Sequence, residues 1–302
     1  MARYKNERNS VLPRFITVVL VLALGVGTAF WFNSCLDNKN NTGIDNTGDG
    51  TSDTTSDGGE TSNPNQDTEP VTPISYEERV GKNYTIDITQ YLEFIEPENK
   101  FEYVFLVNPS HTLASDYVPE DLTDCGYTRQ DGREVQKMRL AAAKALQAFL
   151  GEGKHYGVTN VTVTSAYRSY SYQNYLFNMY FDRDWATGRF ATKEECEKYT
   201  LSYSTKPGTS EHQSGLCCDM HNMPSAQVGF ANTEEAQWLA DNCHRFGFIL
   251  RYPDGKTDIT GITYEPWHFR FVGRDAATEM YELGLTLEEY VQKYTNTITS
   301  KD

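Results

Sequence analysis

Positive charge is scarce in this chain. Its 302 residues hold 27 Lys and Arg against 42 Asp and Glu, a formal net charge of -15 with neutral histidine. Lacking a basic face, the chain is expected to have no nucleic-acid partner. Cysteine is sparse too: six residues over this length are too few for a disulfide scaffold, so the fold has to rest on buried apolar surface. There is no HExxH, which removes the helix-borne zinc-protease pattern, and no internal repeat, which removes solenoids and propellers. Against these absences, 38% of the residues are hydrophobic and 13% aromatic, with 20 Tyr and 15 Phe, enough to bury a sizeable core in one domain.

One long apolar run stands near the start. Residues 15–36 contain no charge, and FITVVLVLALGVGTAFWF is almost wholly apolar; at about 1.5 Å rise per residue it can cross a bilayer core. Arg3, Lys5, Arg8 and Arg14 precede it, while mostly acidic or neutral residues follow. That asymmetry puts the N-terminus inside the cell and the rest outside. No small-x-small cleavage site follows the run, so 15–35 reads as a retained transmembrane anchor rather than a signal peptide, behind a basic cytoplasmic segment at 1–14. Residues 36–75 read as a disordered linker. Between 36 and 70, six Asp and two Glu stand against Lys39 among Asn, Thr, Gly and Ser, with too little apolar surface to offset the entropy of ordering. The folded domain is expected over 76–302.

Within that domain the hydrophobic pattern changes period. Residues 134–150 carry Val135, Met138, Ala142, Leu146 and Phe149 at helical spacing ahead of Gly151 and Gly153, read as breakers. Residues 158–164 alternate and are β-branched, a strand. Helices are predicted over 170–181 and 192–198, and another after the capping-box pair Asn232 and Glu235, ending near Gly247. Residues 248–252 and 269–272 read as strands, and Thr286 with Glu289 caps a last helix. Strands interrupted by helices, with tight turns near the end, predict an α+β fold: a small, mostly antiparallel sheet with helices packed on it.

Three short polar stretches lie in apolar surroundings: SAYRS at 165–169, SEHQSGLCCD at 210–219 and EPWHFR at 265–270. His212 and Asp219 flank Gly215, a spacing that lets a loop running into a short strand aim both at one point. Imidazole and carboxylate suit Zn2+, His268 can supply a third ligand, and the fourth position stays open as a catalytic zinc needs. Glu265, just before His268, is then placed to take a proton from water. A regular strand would put those two on opposite faces, so the backbone is expected to leave the pleat at Pro266. Spacing alone leaves other readings open. Each histidine can be a hydrogen-bonded or surface residue, and Arg168 either a surface ion-pair partner or a binder of a carboxylate or developing oxyanion. Trp267 reads as packing, and His111, His155, His221 and His244 receive no role, although His221 shares the Asp219 face of an extended strand. Cys217 and Cys218 read as small core residues. A thiolate can in principle replace the carboxylate on zinc. Outside the cell, Cys243 is the favoured disulfide partner for one of the pair, with Cys125 and Cys196 bonded to each other or free.

Together, SAYRS with Gln173, PGTSEHQSGLCCD, FILRYPDGK and YEPWHFRFVG resemble the VanY-type D-alanyl-D-alanine carboxypeptidases, a branch of the zinc peptidases that also holds VanX-type dipeptidases and L,D-carboxypeptidases. The resemblance covers about 104–286. It implies one Zn2+ per chain on His212, Asp219 and His268, Glu265 as general base, Arg168 polarising the substrate, and Ser169, Gln173 and Ser210 lining the pocket. It further implies removal of the C-terminal D-alanine from peptidoglycan stem peptides by a domain held at the outer face of a bacterial cell membrane. An L,D-carboxypeptidase or a wall endopeptidase would share these motifs, and residues 184–209 are expected to separate them. A wall-binding module with a purely structural zinc is the reading from a different class, and a base beside an open position argues against it. The departure from the family pattern is Cys217-Cys218, where small or aliphatic residues are more usual.

Overall fold

The computed structural model of the chain describes residues 83–298, with side chains to residue 295. The predicted anchor at 15–35 and linker at 36–75 lie outside the described residues, and among those described no helix is long and apolar enough to cross a membrane. Two short strands, β1 (Leu122–Asp124) and β2 (Lys137–Arg139), pair antiparallel. Then come α1 (Leu140–His155), β3 (Thr162–Ser165), α2 (Tyr170–Ala186), α3 (Lys193–Leu201), β4 (Cys217–His221), α4 (Glu234–Asn242), β5 (Phe248–Leu250), β6 (His268–Phe271), α5 (Arg274–Leu283) and α6 (Leu287–Ile298). The larger sheet has the order β3-β4-β6-β5, each neighbouring pair antiparallel. The fold is therefore α+β with small antiparallel sheets, as the alternation of periods predicts.

The two faces of the larger sheet do different work, because side chains alternate along each strand and cross-strand partners share a face. One face gathers Val163, Cys218, Met220, Phe248, Phe269 and Phe271, all fully buried in the main core. Helix α1 covers it. Its Phe149 stacks on Trp238, Phe246 and Phe248 at ring separations of 5.6, 5.2 and 5.9 Å, and meets Phe269 edge-on at 6.2 Å. The opposite face carries Cys217, Asp219, His268 and Arg270. At the β5 edge Ile249 joins a second cluster with Val272, Met280, Leu287 and Tyr290 from the C-terminal helices and the turn before them.

Several boundaries differ from the pattern-based expectation. The periodic segment 134–150 divides: residues 137–139 form β2, the helix begins at Leu140, and it runs through both glycines to His155. Gly153 marks a close approach rather than a break, since a Cβ there would lie 3.0 Å from the Trp238 ring and 3.2 Å from Val158. Packing against α4 offsets the roughly 0.5–1 kcal/mol that glycine costs in a helix. Thr233, not Asn232, caps α4, its Oγ1 accepting from the Ala236 N–H at 3.1 Å. The helix ends at Asn242, and a 3-10 turn leads to Gly247. The capping box of α6 forms as predicted: the Thr286 N–H donates to Glu289 Oε2 at 2.8 Å and the Glu289 N–H to Thr286 Oγ1 at 3.2 Å.

Of the alternatives left open for the cysteines, the described residues show no disulfide: Cys125, Cys196, Cys217, Cys218 and Cys243 are all free and buried, as the core reading has it for Cys217 and Cys218. Cys217 and Cys218 point to opposite faces of β4. Cys243 turns back on its own turn, Sγ donating to the Ala240 carbonyl at 3.4 Å, and Cys196 Sγ donates to the Phe181 carbonyl at 3.7 Å.

If Phe149 is the stacking centre of the core, Phe149→Ala should lower the unfolding free energy by about 3–5 kcal/mol, read by denaturant unfolding of the purified protein. A change within the about 0.5 kcal/mol of a surface substitution would contradict the arrangement.

Candidate active site

The site is assembled where the 3-10 turn Glu211–Ser214 folds over the polar face of β4 and β6. Gly215 ends the turn at φ 70°, and a Cβ there would press on Leu122 at 3.0 Å and Arg139 at 3.2 Å, so the tight return into β4 needs glycine. Within the turn His212 is fixed by its first ring nitrogen. Nδ1 lies 2.6 Å from the Ala166 carbonyl, which can only accept, so Nδ1 carries the proton and Nε2 presents a lone pair. The His212 carbonyl in turn accepts from the Arg168 N–H at 3.1 Å. These bonds tie the end of β3 to the turn and bring two of the three polar stretches together.

Asp219 and His268 are register partners across β4 and β6. Asp219 Oδ2 is 3.4 Å from His212 Nε2, and Oδ1 is 3.0 Å from His268 Nδ1. The two imidazoles stand perpendicular, their centroids 5.0 Å apart. Glu265 sits just outside β6. The His268 N–H closes a turn on the Glu265 carbonyl at 3.1 Å, which is the departure from the pleat expected at Pro266, and Glu265 Oε2 comes to 3.6 Å from His268 Nδ1. The donor atoms of Asp219, Glu265 and His268 lie within 4.8 Å of one another.

The donor set fits a cation. A lone pair on His212 Nε2 facing a carboxylate is repulsive unless a proton or metal ion stands between them, and His212 Nε2 and Asp219 Oδ1 are buried with no hydrogen-bond partner. Two imidazoles and one carboxylate are a zinc set. The metal-free electrostatics point the same way. Burial lowers both imidazole pKa values, yet Cys217 and Asp219 push both above the usual range. Burial pushes the Asp219 carboxyl up, but His212 and His268 hold it well below the usual range. Glu265 behaves oppositely: burial, with Asp219 adding to it, pushes its carboxyl up to about 8, within reach of a proton acceptor working near neutrality.

A cavity of about 500 Å3 opens in front of these groups, and Arg168, Gln173, Ser210, His212, Asp219, Glu265, Trp267 and His268 line it. Arg168 Nε is buried without a partner. Gln173 is fixed by Nε2 donating to the Thr205 carbonyl at 2.7 Å, leaving Oε1 unpartnered. Ser169 is not among the lining residues: it caps α2, its Oγ accepting from the Tyr172 N–H at 3.2 Å. Residues 203–205 and Arg183 form the far wall, placing part of 184–209 at the cavity as expected. His221 is not among the lining residues; Thr164 Oγ1 lies 3.2 Å from its Nε2 and Arg129 3.2 Å from its Nδ1.

Sequence reasoning missed Glu211. Its side chain is 0% exposed. Oε1 accepts from Arg251 Nε at 2.7 Å and pairs with Arg270 at 3.1 Å, while Oε2 lies 3.6 Å from His268 Nε2. Arg251 also grips Glu288 of α6 with both terminal nitrogens, at 2.9 and 2.5 Å. Burial pushes the Glu211 carboxyl up, but Arg251 and Arg270 hold it well below the usual range. The ionised carboxylate lies just beyond hydrogen-bond reach of His268 Nε2, and its charge favours a proton on that nitrogen over Nδ1, which faces Asp219. The available signal was a pair of arginines in otherwise apolar strands, FILR and HFRF, which demand a buried acid.

Comparison with known proteins finds relatives over the same stretch of chain. The family model for VanY, D-alanyl-D-alanine carboxypeptidase, matches residues 135–274. The Bacillus subtilis (strain 168) protein YodJ is 35% identical over 209 residues, 67% of this chain and 71% of that one. Among solved structures, the LD-carboxypeptidase LdcB matches with a TM-score of 0.55 at 33% identity, over 65% of this chain and 88% of LdcB. A mutant of the vancomycin-resistance D,D-pentapeptidase VanY from a VanB-type cassette, in complex with Zn(II), matches at 0.52 with 34% identity, over 63% of this chain and 98% of that one.

Loss of the Glu211 carboxylate should weaken metal binding through His268. Glu211→Gln is expected to lower zinc affinity about 10–100-fold in chelator competition, whereas Glu288→Gln, which leaves Glu211 in place, should leave it unchanged. Equal zinc affinity in wild type and a folded Glu211→Gln protein would refute the assignment.

Proposed function

The chain belongs to the VanY family of D-alanyl-D-alanine carboxypeptidases, and from that premise we propose that it removes the C-terminal D-alanine from peptidoglycan stem peptides by zinc-dependent hydrolysis. The observation that carries this reading is the convergence of His212, Asp219 and His268 with Glu265 at one end of a cavity that Arg168 also lines. One zinc ion per chain would be held by the two histidines and the aspartate, and when bound it supplies Lewis acidity for the scissile carbonyl and acidifies the attacking water. Glu265 takes the proton of that water and returns it to the departing D-alanine amine, a shuttle that its raised carboxyl pKa supports. Arg168 donates to the oxygen on which negative charge develops, and its unpartnered Nε is free for that bond. Gln173 and Ser210 orient the peptide through the polar atoms they turn to the cavity.

The same proposal puts the domain outside the cell, where wall peptides lie, held to the membrane by the apolar stretch 15–35 on the acidic linker. An L,D-carboxypeptidase is the second reading, favoured by the likeness to LdcB. A non-catalytic wall-binding module with structural zinc is disfavoured by Glu265, since a structural site needs no base and closes its fourth position with protein.

Mass analysis after incubation with a pentapeptide ending in D-Ala-D-Ala, a tetrapeptide ending in one D-Ala, and a depsipeptide ending in D-lactate is expected to show tetrapeptide formed from the pentapeptide. Activity should vanish with chelator and return with Zn2+. Glu265→Gln should keep zinc and lose about a hundred- to ten-thousand-fold in kcat. Cleavage of the tetrapeptide alone would replace the D,D reading with the L,D one, and full turnover by zinc-loaded Glu265→Gln would remove the base from its role.

A further inference from the structure

We propose that the centre contains a second ligand set, in which the Cys217 thiolate joins His212 and His268 to capture a thiophilic divalent cation such as Cd2+. The donor atoms of His212, Cys217 and His268 lie within 4.8 Å of one another, and all three residues are buried. Strand register explains the cluster. Cys217 pairs with Arg270 and Asp219 with His268, so the cysteine stands on the Asp219 face, two residues back at about 3.3 Å rise per residue. The turn Glu211–Ser214 then brings His212 over it.

Cys217 and Asp219 approach the histidines differently. Asp219 and Glu265 line the cavity, whereas Cys217 does not and is 0% exposed. Its sulfur has no disulfide partner, and the hydrolytic reading leaves it without a task. A packing role asks only for a small apolar side chain, which alanine would meet without placing a soft donor beside two imidazoles.

Two imidazoles with a thiolate rank soft cations above two imidazoles with a carboxylate, because sulfur is the softer ligand. Capture is a balanced exchange. Bonds form between the cation and Sγ and one nitrogen of each imidazole, and the thiol proton leaves to solvent together with any proton those nitrogens carried. Since both sets need His212 and His268, a cation on the sulfur set excludes one on the Asp219 set. The site is thereby open to inactivation by soft metals at a point that substrate does not touch.

The inference rests on His212 and His268 being metal ligands, and one experiment separates the two claims. The purified full chain, stripped of metal and kept reduced, is titrated with Cd2+ alone and followed by ultraviolet absorption for thiolate-to-cadmium charge transfer. A parallel Zn2+ titration is read by chelator competition. The band should saturate at one equivalent in the wild type, persist in Asp219→Asn, and fall to background in Cys217→Ala and Cys217→Ser, each checked for folding by circular dichroism. A wild type that binds Zn2+ but gives no band with Cd2+ overturns the sulfur set and spares the zinc reading. A full band in either folded Cys217 variant, or its loss in folded Asp219→Asn, also overturns the sulfur set. Failure of the wild type to bind either cation overturns both claims.

Discussion

The register between β4 and β6 is the constraint on which the rest depends. Opposite His268 stands Asp219; one residue away, opposite Phe269, stands Cys218. A slip of one residue would turn every side chain of the strand to the other face, sending the aspartate into the phenylalanine core. Against that slip stand Cys218, Met220, Phe269 and Phe271, each 0% exposed. Full burial of a Phe or Met side chain contributes about 1.5–3 kcal/mol, so a slipped strand forfeits several such contributions and buries an ionised carboxylate without partners. The core and the site thus specify the same pairing. The apolar face holds the polar face in position without touching it.

Behind the ligands lies a cluster whose justification is not stability. Arg251 and Arg270 are 1% and 0% exposed, neutralised by Glu211 and, for Arg251, by Glu288. Buried ion pairs of this kind often contribute no more than well-packed apolar residues of the same volume. What apolar residues cannot do is place a negative charge beside His268. Glu211 Oε2 does that, 3.6 Å from Nε2, and the two arginines keep it ionised inside the protein. The linkage has a sign. A carboxylate whose folded pKa is depressed contributes stability that is present above its unfolded pKa of about 4.3 and lost as pH falls through the folded value. Acid therefore attacks the support of the site along with the domain. Through Glu288 the cluster also ties helix α6 to the ligand shell, so the C-terminal segment belongs to the site's framework.

The residues of the candidate site were legible because polar side chains in apolar strands need a reason, and His212, Asp219, Glu265 and His268 each had one that chemistry could name. Glu211 escaped because it reads as a loop residue: its partner Arg251 lies 40 residues away, and no local period reports such a pair. Cys217 reads in the sequence as a small core residue; its approach to His212 comes from a 3-10 turn folding across the strand, a tertiary contact outside any strand pattern. Ser169 reads in the sequence as a pocket residue; it caps α2 through the Tyr172 N–H and is not among the residues lining the cavity. Gly151 and Gly153 looked like a helix end because propensity was weighed without packing; at Gly153 the Trp238 ring takes the space a Cβ would fill. The fold class survives these errors, since it depends on the number and kind of elements and not on where each one ends.

The cavity has two kinds of wall, and their separation has a consequence for specificity. The side that carries His212, Asp219 and His268 is built on β4, β6 and the turn above them, where the register leaves little freedom. The facing side is built on α2 and α3, joined by Asp184, which accepts from Thr200 Oγ1 at 3.1 Å and from the Tyr203 hydroxyl and pairs with Arg183 at 3.2 Å. That hub presents Arg183 and Tyr203 to the cavity together with Tyr180. The two sides meet at Arg168 and Ser169, where β3 gives way to α2, and at the Gln173 bond to Thr205. No core packing of the sheet passes through Arg183, Tyr180 or Tyr203, so substitutions there can change which peptide fits while leaving Asp219 opposite His268. The residues that decide between a D,D and an L,D substrate are to be sought on the helical wall.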